Sequence, residues 1–250
     1  MDATKEAGID TISVTHFHEY LEMVDYAQKN LLKRNNDDIV IYRGQSVDKN
    51  LYPRIGRSGY SHPNRINFEK KIFLEFIRLS YPHLQGGSLN DWDYLAIAQH
   101  YFLPTRLLDW SGNPLVALWF AISDQSVPKP DRVVWCYSFK QEDIVNSETG
   151  DPFSQVKTMV YRPKHISNRI VTQNGWFTSH YCQKDNNHYT ALNRMKDSPP
   201  KLTKIKLSID EKEDRMTLLN SLDSCGVNSY SIFNDLEGLC KYLDWRTFKK

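Results

Sequence analysis

One segment near the middle of the chain is apolar on almost every side, and this limits the folds open to the sequence. Asn113 is a suitable N-cap, Pro114 suits the first helical position, and residues 115–122 (LVALWFAI) are all apolar. A helix on the surface would keep one polar face. The segment therefore predicts a helix that other elements cover on most sides.

The rest of the chain carries both strand and helix patterns. Alternation with period two predicts strands over residues 132–139 and 201–209, and residues 39–42 form a short apolar run typical of a buried strand. Helical spacing of apolar residues predicts a helix over residues 15–34. Capping residues predict further helices that begin at Asn67, Asn90, Asp210 (with Glu213) and Asn234 (with Glu237).

Length and composition fit one domain with a buried core. The chain has 250 residues, of which 40% are hydrophobic. We expect an α+β fold with an N-terminal helical segment at residues 1–37 and a β-rich core within residues 38–250. No apolar run approaches the ~18–20 residues that span a bilayer, and the N-terminus is acidic and polar, so we expect a cytoplasmic protein without a membrane partner. The four cysteines lack CxxC spacing, which favours buried free thiols.

Charge is distributed unevenly along the chain. The net charge is +2, but residues 157–206 hold ten Lys and Arg and two acidic residues, with five aromatic residues among them. Cations for phosphate and rings for stacking are typical of single-stranded nucleic-acid binding. Lys201, Lys204 and Lys206 are therefore candidate nucleic-acid contacts. The alternative is a solvated strand face whose other side is buried.

Three motifs carry polar groups that packing alone does not explain. The first is Tyr42-Arg43-Gly44-Gln45-Ser46, in which a strand ends on a guanidinium beside a glycine that allows close approach to the backbone. Such an arginine suits a phosphate or a carboxylate ligand. The alternative is a structural arginine paired with an acidic neighbour such as Asp109.

The second motif, residues 99–114, leads into the buried helix. Its polar candidates are His100, Arg106, Asp109, Ser111 and Asn113. Free N–H groups at a helix N-terminus attract anions, so this segment suits a dinucleotide phosphate. In the alternative interpretation Asn113 is a helix cap, Arg106 and Asp109 form an internal ion pair, and His100 is a half-buried histidine without a catalytic role.

The third motif, residues 169–180, combines a strand-like start, a glycine and an aromatic pair. This pattern predicts that Gln173 and Thr178 face a ligand cleft, with the ring of Trp176 or Phe177 available for stacking. A bulged core strand explains the same pattern equally well.

Together these segments resemble the FRG domain family, which is named for an (F/Y)RG motif. The resemblance rests on four segments: Tyr42-Arg43-Gly44, QHxxLPTRLLDWSxNPLVALWFA from residue 99, RIxxQxGxFTxH from residue 169 and FNDLEGL from residue 233. The family usually writes FPDLDG in the last segment, and this chain has Asn234 and Glu237 instead. Both substitutions fit a helix cap.

The order of the motifs also resembles the layout of ADP-ribosyltransferases. This resemblance implies catalytic roles for Arg43, Ser111 and Gln173, and it implies that NAD contacts Tyr42, Arg43, Gln45, His100, Arg106, Asp109, Asn113 and Phe177. Such transferases usually carry Glu in the third position, where this chain has Gln173, and Glu237 is the fallback carboxylate. The reaction passes through an oxocarbenium-like state and requires no metal.

The two resemblances together imply a function. We expect transfer of ADP-ribose from NAD to a macromolecule, with nucleic acid (RNA or DNA) favoured because of the basic stretch. A toxin of a prokaryotic anti-phage or toxin–antitoxin system, held in check by an inhibitor protein, would fit this activity. The alternative is a non-catalytic recognition module that binds a nucleotide or a partner in the same cleft.

Overall fold

The computed structural model of the protein describes residues 4–6, 9–32, 38–60, 62–84, 88–124, 126, 131–164, 168–183, 187–196, 199–209 and 212–249. Within these ranges the strands are β1 (Thr4–Glu6), β2 (Ile9–Val14), β3 (Ile39–Gln45), β4 (Leu107–Ser111), β5 (Val133–Phe139), β6 (Met159–Tyr161), β7 (Gly175–Ser179), β8 (Cys182–Gln183), β9 (His188–Tyr189) and β10 (Lys201–Leu207). The α-helices are α1 (Phe17–Leu32), α2 (Arg65–Ser80), α3 (Asp91–His100), α4 (Pro114–Ile122), α5 (Asn168–Thr172), α6 (Lys212–Ser224), α7 (Ser229–Phe233) and α8 (Leu236–Asp244).

One mixed sheet organises the molecule. Its strand order is β1-β2-β10-β5-β3-β4-β7-β6, and neighbours are antiparallel except β2 and β10, which are parallel. β5 lies between β3 and β10, and all of its residues are buried. The coarse prediction of a fold that mixes helices and strands is therefore confirmed, as are the strands expected over residues 132–139 and 201–209.

The N-terminal segment contains more than the expected helix. α1 is confirmed, and it buries Tyr20, Val24 and Ala27 against the core. However, β2 precedes it and pairs in parallel with β10, from Asp10 beside Thr203 to Val14 beside Leu207. Residues 1–37 are therefore not purely helical. Local patterns did not predict this strand, because its pairing partner lies about 190 residues away along the chain.

The buried helix is confirmed as α4. Asn113 caps it, since its side-chain oxygen accepts a hydrogen bond from the Leu115 N–H at 2.9 Å. β3 passes so close to α4 that a Cβ on Gly44 would lie 1.9 Å from the carbonyl oxygen of Ala117. The glycine of the first motif is therefore required by helix–strand contact.

Several helix starts differ from the sequence predictions. Asn90 caps α3 with Asp93 as expected, but Asn64 rather than Asn67 caps α2. Gln141–Asp143 forms a short 3-10 turn after β5. The expected cap at Asp210 lies outside the described residues, although α6 follows it as predicted.

The last helix also begins differently. Asp235 caps α8 by accepting a hydrogen bond from Gly238 N–H, while Asn234 ends α7 in the left-handed conformation at φ 50°. Glu237 pairs with Lys241 at 2.6 Å and takes no part in a cap. The capping box predicted for Asn234 and Glu237 is therefore wrong, because an additional short helix places the turn one residue later.

The third motif also folds differently from its prediction. Residues 168–172 form the short helix α5 instead of a strand-like segment, and Asn174 then turns the chain at φ 45° into β7. Gln173 therefore lies in a turn.

The cysteine prediction is half correct. Cys136 and Cys182 are buried free thiols, whereas Cys225 and Cys240 are exposed. No helix in the described part of the chain is long and apolar enough to cross a membrane.

Candidate active site

A cavity of about 1320 Å³ opens where β3 and β4 meet α4, and α7 and α8 close its far side. Eight of the residues singled out in the sequence line it: Tyr42, Arg43, Gln45, His100, Asp109, Ser111, Gln173 and Phe177. The three motifs are far apart in the sequence, and the fold brings them to one cavity.

Arg43 is the cation at the centre of this convergence. Its Nη1 donates a hydrogen bond of 2.6 Å to the backbone carbonyl of Asp109 and lies 3.8 Å from the carboxylate of the same residue. Its Nε is buried and has no hydrogen-bond partner among the described residues. Burial lowers the pKa of Arg43 below its ordinary value, and Arg57 acts in the same direction while Asp109 opposes it. The guanidinium stays charged and keeps unused donors.

Asp109 provides a carboxylate at the cavity. Its side chain is 57% exposed, although the flanking strand residues Leu108 and Trp110 are buried. Gln99 donates a hydrogen bond of 3.0 Å to its Oδ2 and accepts one from Thr105 at 2.7 Å. The amide therefore orients the carboxylate, and solvent or a ligand can still reach it.

Ser111 joins the second and third motifs. Its Oγ donates a hydrogen bond of 2.6 Å to the carbonyl of Gln173 and accepts one of 3.0 Å from the Asn113 N–H. Gly112 N–H reinforces the same junction by donating to the carbonyl of Asn174 at 2.8 Å. The serine hydroxyl thus fixes the turn that carries Gln173, whose own Nε2 lies 3.5 Å from the Ile232 carbonyl.

Three further candidates line the cavity with their polar groups already engaged or absent. The Tyr42 hydroxyl accepts a hydrogen bond of 2.6 Å from Gln28, and burial raises its pKa well above its ordinary value. Gln45 accepts a bond of 3.0 Å from the Trp135 indole. Phe177 is 5% exposed and packs in the core.

Arg106 does not lie at the cavity, which corrects its assignment to NAD binding. Its Nη2 and Nε donate to the Glu69 carboxylate at 2.6 and 3.1 Å, and its Nη1 donates to the Pro152 carbonyl at 2.8 Å. Burial disfavours its charge, yet Glu69 raises its pKa above the ordinary value. The ion pair expected with Asp109 forms with Glu69 instead, on a helix that local sequence patterns could not connect to it.

Asn113 is also absent from the cavity lining. Its side chain is occupied as the N-cap of α4, so the structural alternative holds for this residue.

The lysines proposed as nucleic-acid contacts do not form an open basic surface. Lys201 pairs with Asp38, and Lys204 pairs with Asp48 at 2.7 Å and covers the Trp135 ring. Lys204 is 7% exposed, because β10 is an interior strand. Lys206, on the same strand, is partly buried. The nucleic-acid assignment of this strand is therefore not supported.

The cavity also has an aromatic wall that the sequence patterns did not predict. Four rings on α4 and near the C-terminus form it: Trp119, Phe120, Phe233 and Trp245. The Trp119 and Phe233 ring centroids lie 5.7 Å apart at a near-perpendicular angle. Trp119 and Phe120 belong to the apolar run of α4. The sequence pattern of this run does not distinguish rings that face a cavity from rings that pack in the core.

These features define a class of protein: a mixed α/β domain with a polar cleft where Arg43 and Asp109 lie in the same cavity as an aromatic wall. Residues 38–129 match the family model of the FRG domain, which covers the first two motifs and ends before the third. The match spans less than half of the chain, and over these residues the chain is similar to the FRG domain. Searches among curated proteins and solved structures found no match to the chain. In the described ranges, no three His, Cys, Asp or Glu side chains are grouped so that they could hold a metal ion.

Proposed function

We propose that the cavity binds NAD and that the protein transfers ADP-ribose from NAD to a macromolecule. In this proposal the fold is similar to that of ADP-ribosyltransferases. The observation that carries this proposal is the convergence of Arg43, Asp109 and the turn at Gln173 on one cavity with an aromatic wall. A charged guanidinium with unused donors suits a diphosphate, and the rings suit a planar base.

The charges also suit the chemistry. In this scheme the bond between the ribose C1′ and the nicotinamide nitrogen breaks, and its electron pair leaves with nicotinamide. The positive charge that develops on the ribose is stabilised by the Asp109 carboxylate, which Gln99 holds in place. The acceptor then bonds to C1′ and gives its proton to Asp109. Asp109 thus takes the third catalytic position, for which the resemblance implied Gln173 with Glu237 as the fallback carboxylate. Glu237 pairs with Lys241 and does not line the cavity.

Ser111 has a positioning role in this proposal. Its hydroxyl proton is engaged by the Gln173 carbonyl, so Ser111 holds the turn of the third motif against the second. We further propose that the protein acts in the cytoplasm as a toxin of a prokaryotic anti-phage or toxin–antitoxin system, and that an inhibitor protein holds it in check. This part is supported by the resemblance of the motifs.

A recognition module that binds a nucleotide without chemistry is the second candidate. It is favoured by the hydrogen bonds of Ser111 and Gln45, which leave these two polar groups little freedom to act on a substrate.

The test is to incubate the purified protein with NAD labelled on the adenylate phosphate and with cell lysate. We expect release of nicotinamide and label in RNA, DNA or protein, and we expect Arg43→Lys and Asp109→Asn to lower both at least 100-fold. Arg78→Lys and Asp25→Asn are matched controls, because both residues form exposed ion pairs away from the cavity. Binding of NAD without release of nicotinamide would select the recognition module.

A further inference from the structure

A second cavity, of about 1160 Å³, adjoins the first. Three residues line both cavities: Gln45, Lys49 and Arg57. The second cavity extends from there along the loop after β3 to the N-terminus of α2 and the segment before β10. A chain bound in it would therefore reach the first cavity, which Arg43 and Asp109 line.

Cations dominate the lining of the second cavity. Its basic residues are Lys49, Arg57, Arg65, Arg194 and Lys204, and its one described acidic residue is Asp48. Asp48 is paired with Lys204 at 2.7 Å. The other four cations form no salt bridge with a carboxylate of the described residues. Among the described residues, the lining of the cavity therefore carries more positive than negative charge.

Arg65 is the most informative of these cations. Its Nη1 is shielded from solvent and has no hydrogen-bond partner among the described residues. A buried guanidinium donor without a partner costs free energy, so such a group persists most readily where a ligand supplies the acceptor. Its backbone N–H is held separately, by the Asn187 side chain at 2.8 Å. The backbone of Arg65 is thus anchored, whereas no described residue accepts a hydrogen bond from its Nη1.

Arg194 lies on the other side of the same cavity. Its Nε donates 3.0 Å to the Asn50 side-chain oxygen, a neutral group that leaves the charge unbalanced. Asn50 also accepts from Asn193, and Asn193 accepts from the Leu51 N–H, so neutral amides position this arginine. An exposed histidine, His188, lies edge-on to Tyr52 at 6.4 Å and adds rings to the lining.

We infer that the second cavity binds the phosphates of a single-stranded nucleic acid, the acceptor of the reaction proposed above. Several guanidinium groups suit a row of phosphates, and the rings beside them suit stacking bases. The role of the nucleic acid as acceptor rests on the proposed function, whereas its binding to the cavity does not. It places the nucleic-acid site on Arg65 and Arg194 instead of on the lysines of β10.

The experiment measures binding of fluorescent 12-nucleotide single-stranded RNA and DNA between 50 and 300 mM salt. We expect Arg65→Gln combined with Arg194→Gln to weaken binding at least tenfold. The slope of log K against log salt should become shallower by about 1.4, since each contact on a single strand contributes roughly 0.7. Arg78→Gln combined with Lys140→Gln removes two exposed cations outside both cavities and should leave binding within twofold.

Unchanged affinity and slope in the double variant would overturn the inference, as would binding of a phosphopeptide or of inorganic phosphate in preference to either oligonucleotide. If the double variant melts far below the wild type, Arg194→Gln alone gives the test, because this side chain is exposed. Release of nicotinamide from NAD is measured in parallel. Oligonucleotide binding that depends on Arg65 without any NAD turnover would refute the proposed function and leave the nucleic-acid site standing.

Discussion

Two arginines of the motifs, Arg106 and Arg43, have opposite surroundings: Arg106 is buried, whereas the Arg43 side chain is 17% exposed. Arg106 is 2% exposed and has a carboxylate and a carbonyl for its donors. Arg43 has a backbone carbonyl for one nitrogen, a carboxylate 3.8 Å away and an Nε without a described partner. A buried charge that is fully paired supports the fold, and a partly buried charge that is incompletely paired beside a cavity is available to a ligand.

The difference lies in what reaches each arginine. α2 brings Glu69 to Arg106, and the hydroxyl of Tyr189 donates to the same carboxylate at 2.6 Å. No comparable side chain covers the cavity face of Arg43 in the described part of the chain. Their hydrogen-bond partners therefore identify Arg106 as a structural arginine and Arg43 as a candidate ligand-binding arginine, although both lie in the motifs found in the sequence.

The largest effect should come from removing the partner of Arg106. We expect Glu69→Ala to destabilise the protein by about 3–5 kcal/mol, because it leaves a buried guanidinium without its counter-charge. Urea unfolding measures this change. Glu75→Ala on the same helix breaks an exposed pair with Arg78 and should cost less than about 1 kcal/mol. Equal losses in both variants would mean that Arg106 is no better anchored than a surface arginine.

A second effect concerns the glycine beside Arg43. Gly44→Ala places a methyl group 1.9 Å from the Ala117 carbonyl oxygen, so β3 and α4 must separate. We expect a loss of about 1–3 kcal/mol in the free energy of unfolding. Gly59→Ala is the control, because its added methyl group meets no atom within 4 Å. A stable Gly44→Ala variant with normal NAD binding would show that the helix contact does not set the position of Arg43.

Arg43 itself should separate stability from function. β3 and β4 share one register pair, Tyr42 with Ser111, so the Arg43 bond to the Asp109 carbonyl also helps to hold these strands together. We expect Arg43→Ala to cost about 1 kcal/mol of stability, the value of a typical hydrogen bond, and to reduce NAD binding at least 100-fold. Thermal melting and calorimetry measure the two effects. Loss of stability comparable to Glu69→Ala with unchanged NAD binding would make Arg43 a second structural arginine.

The sequence predicted those parts of the molecule that depend on local pattern. The buried helix α4, its cap at Asn113 and the strands β5 and β10 follow from spacing and capping alone. The pairing of Arg106 with Glu69 and of Lys204 with Asp48 could not be predicted, because each joins residues that are distant in the sequence. The motifs predicted which residues line the cavity better than they predicted what each residue does there. The role of a residue depends on its hydrogen bonds, and these are determined by the fold.

The smallest expected effect is the pH dependence of stability that His180 causes. This residue is buried, and its backbone N–H donates to the Arg106 carbonyl at 3.0 Å. Burial lowers the pKa of His180 to about 3, and the charges of Arg43 and Arg106 act in the same direction. The unfolded chain takes up this proton below about pH 6.5, whereas the folded protein takes it up only near pH 3. Unfolding therefore binds a proton in this range, and stability falls as the pH falls from about 6.5 toward 3.

We expect wild type to lose about 1 kcal/mol more than His180→Gln when the pH is lowered from 7 to 5.5, as measured by urea unfolding. Glutamine keeps a group that can bond to Thr178, whose hydroxyl lies 3.1 Å from the His180 Nε2, and it carries no titrating group. His83→Gln, at an exposed histidine, should keep the wild-type pH dependence. If His180→Gln and wild type lose stability equally, His180 accepts a proton in the folded protein at ordinary pH, and the two guanidinium charges do not reach it across the core.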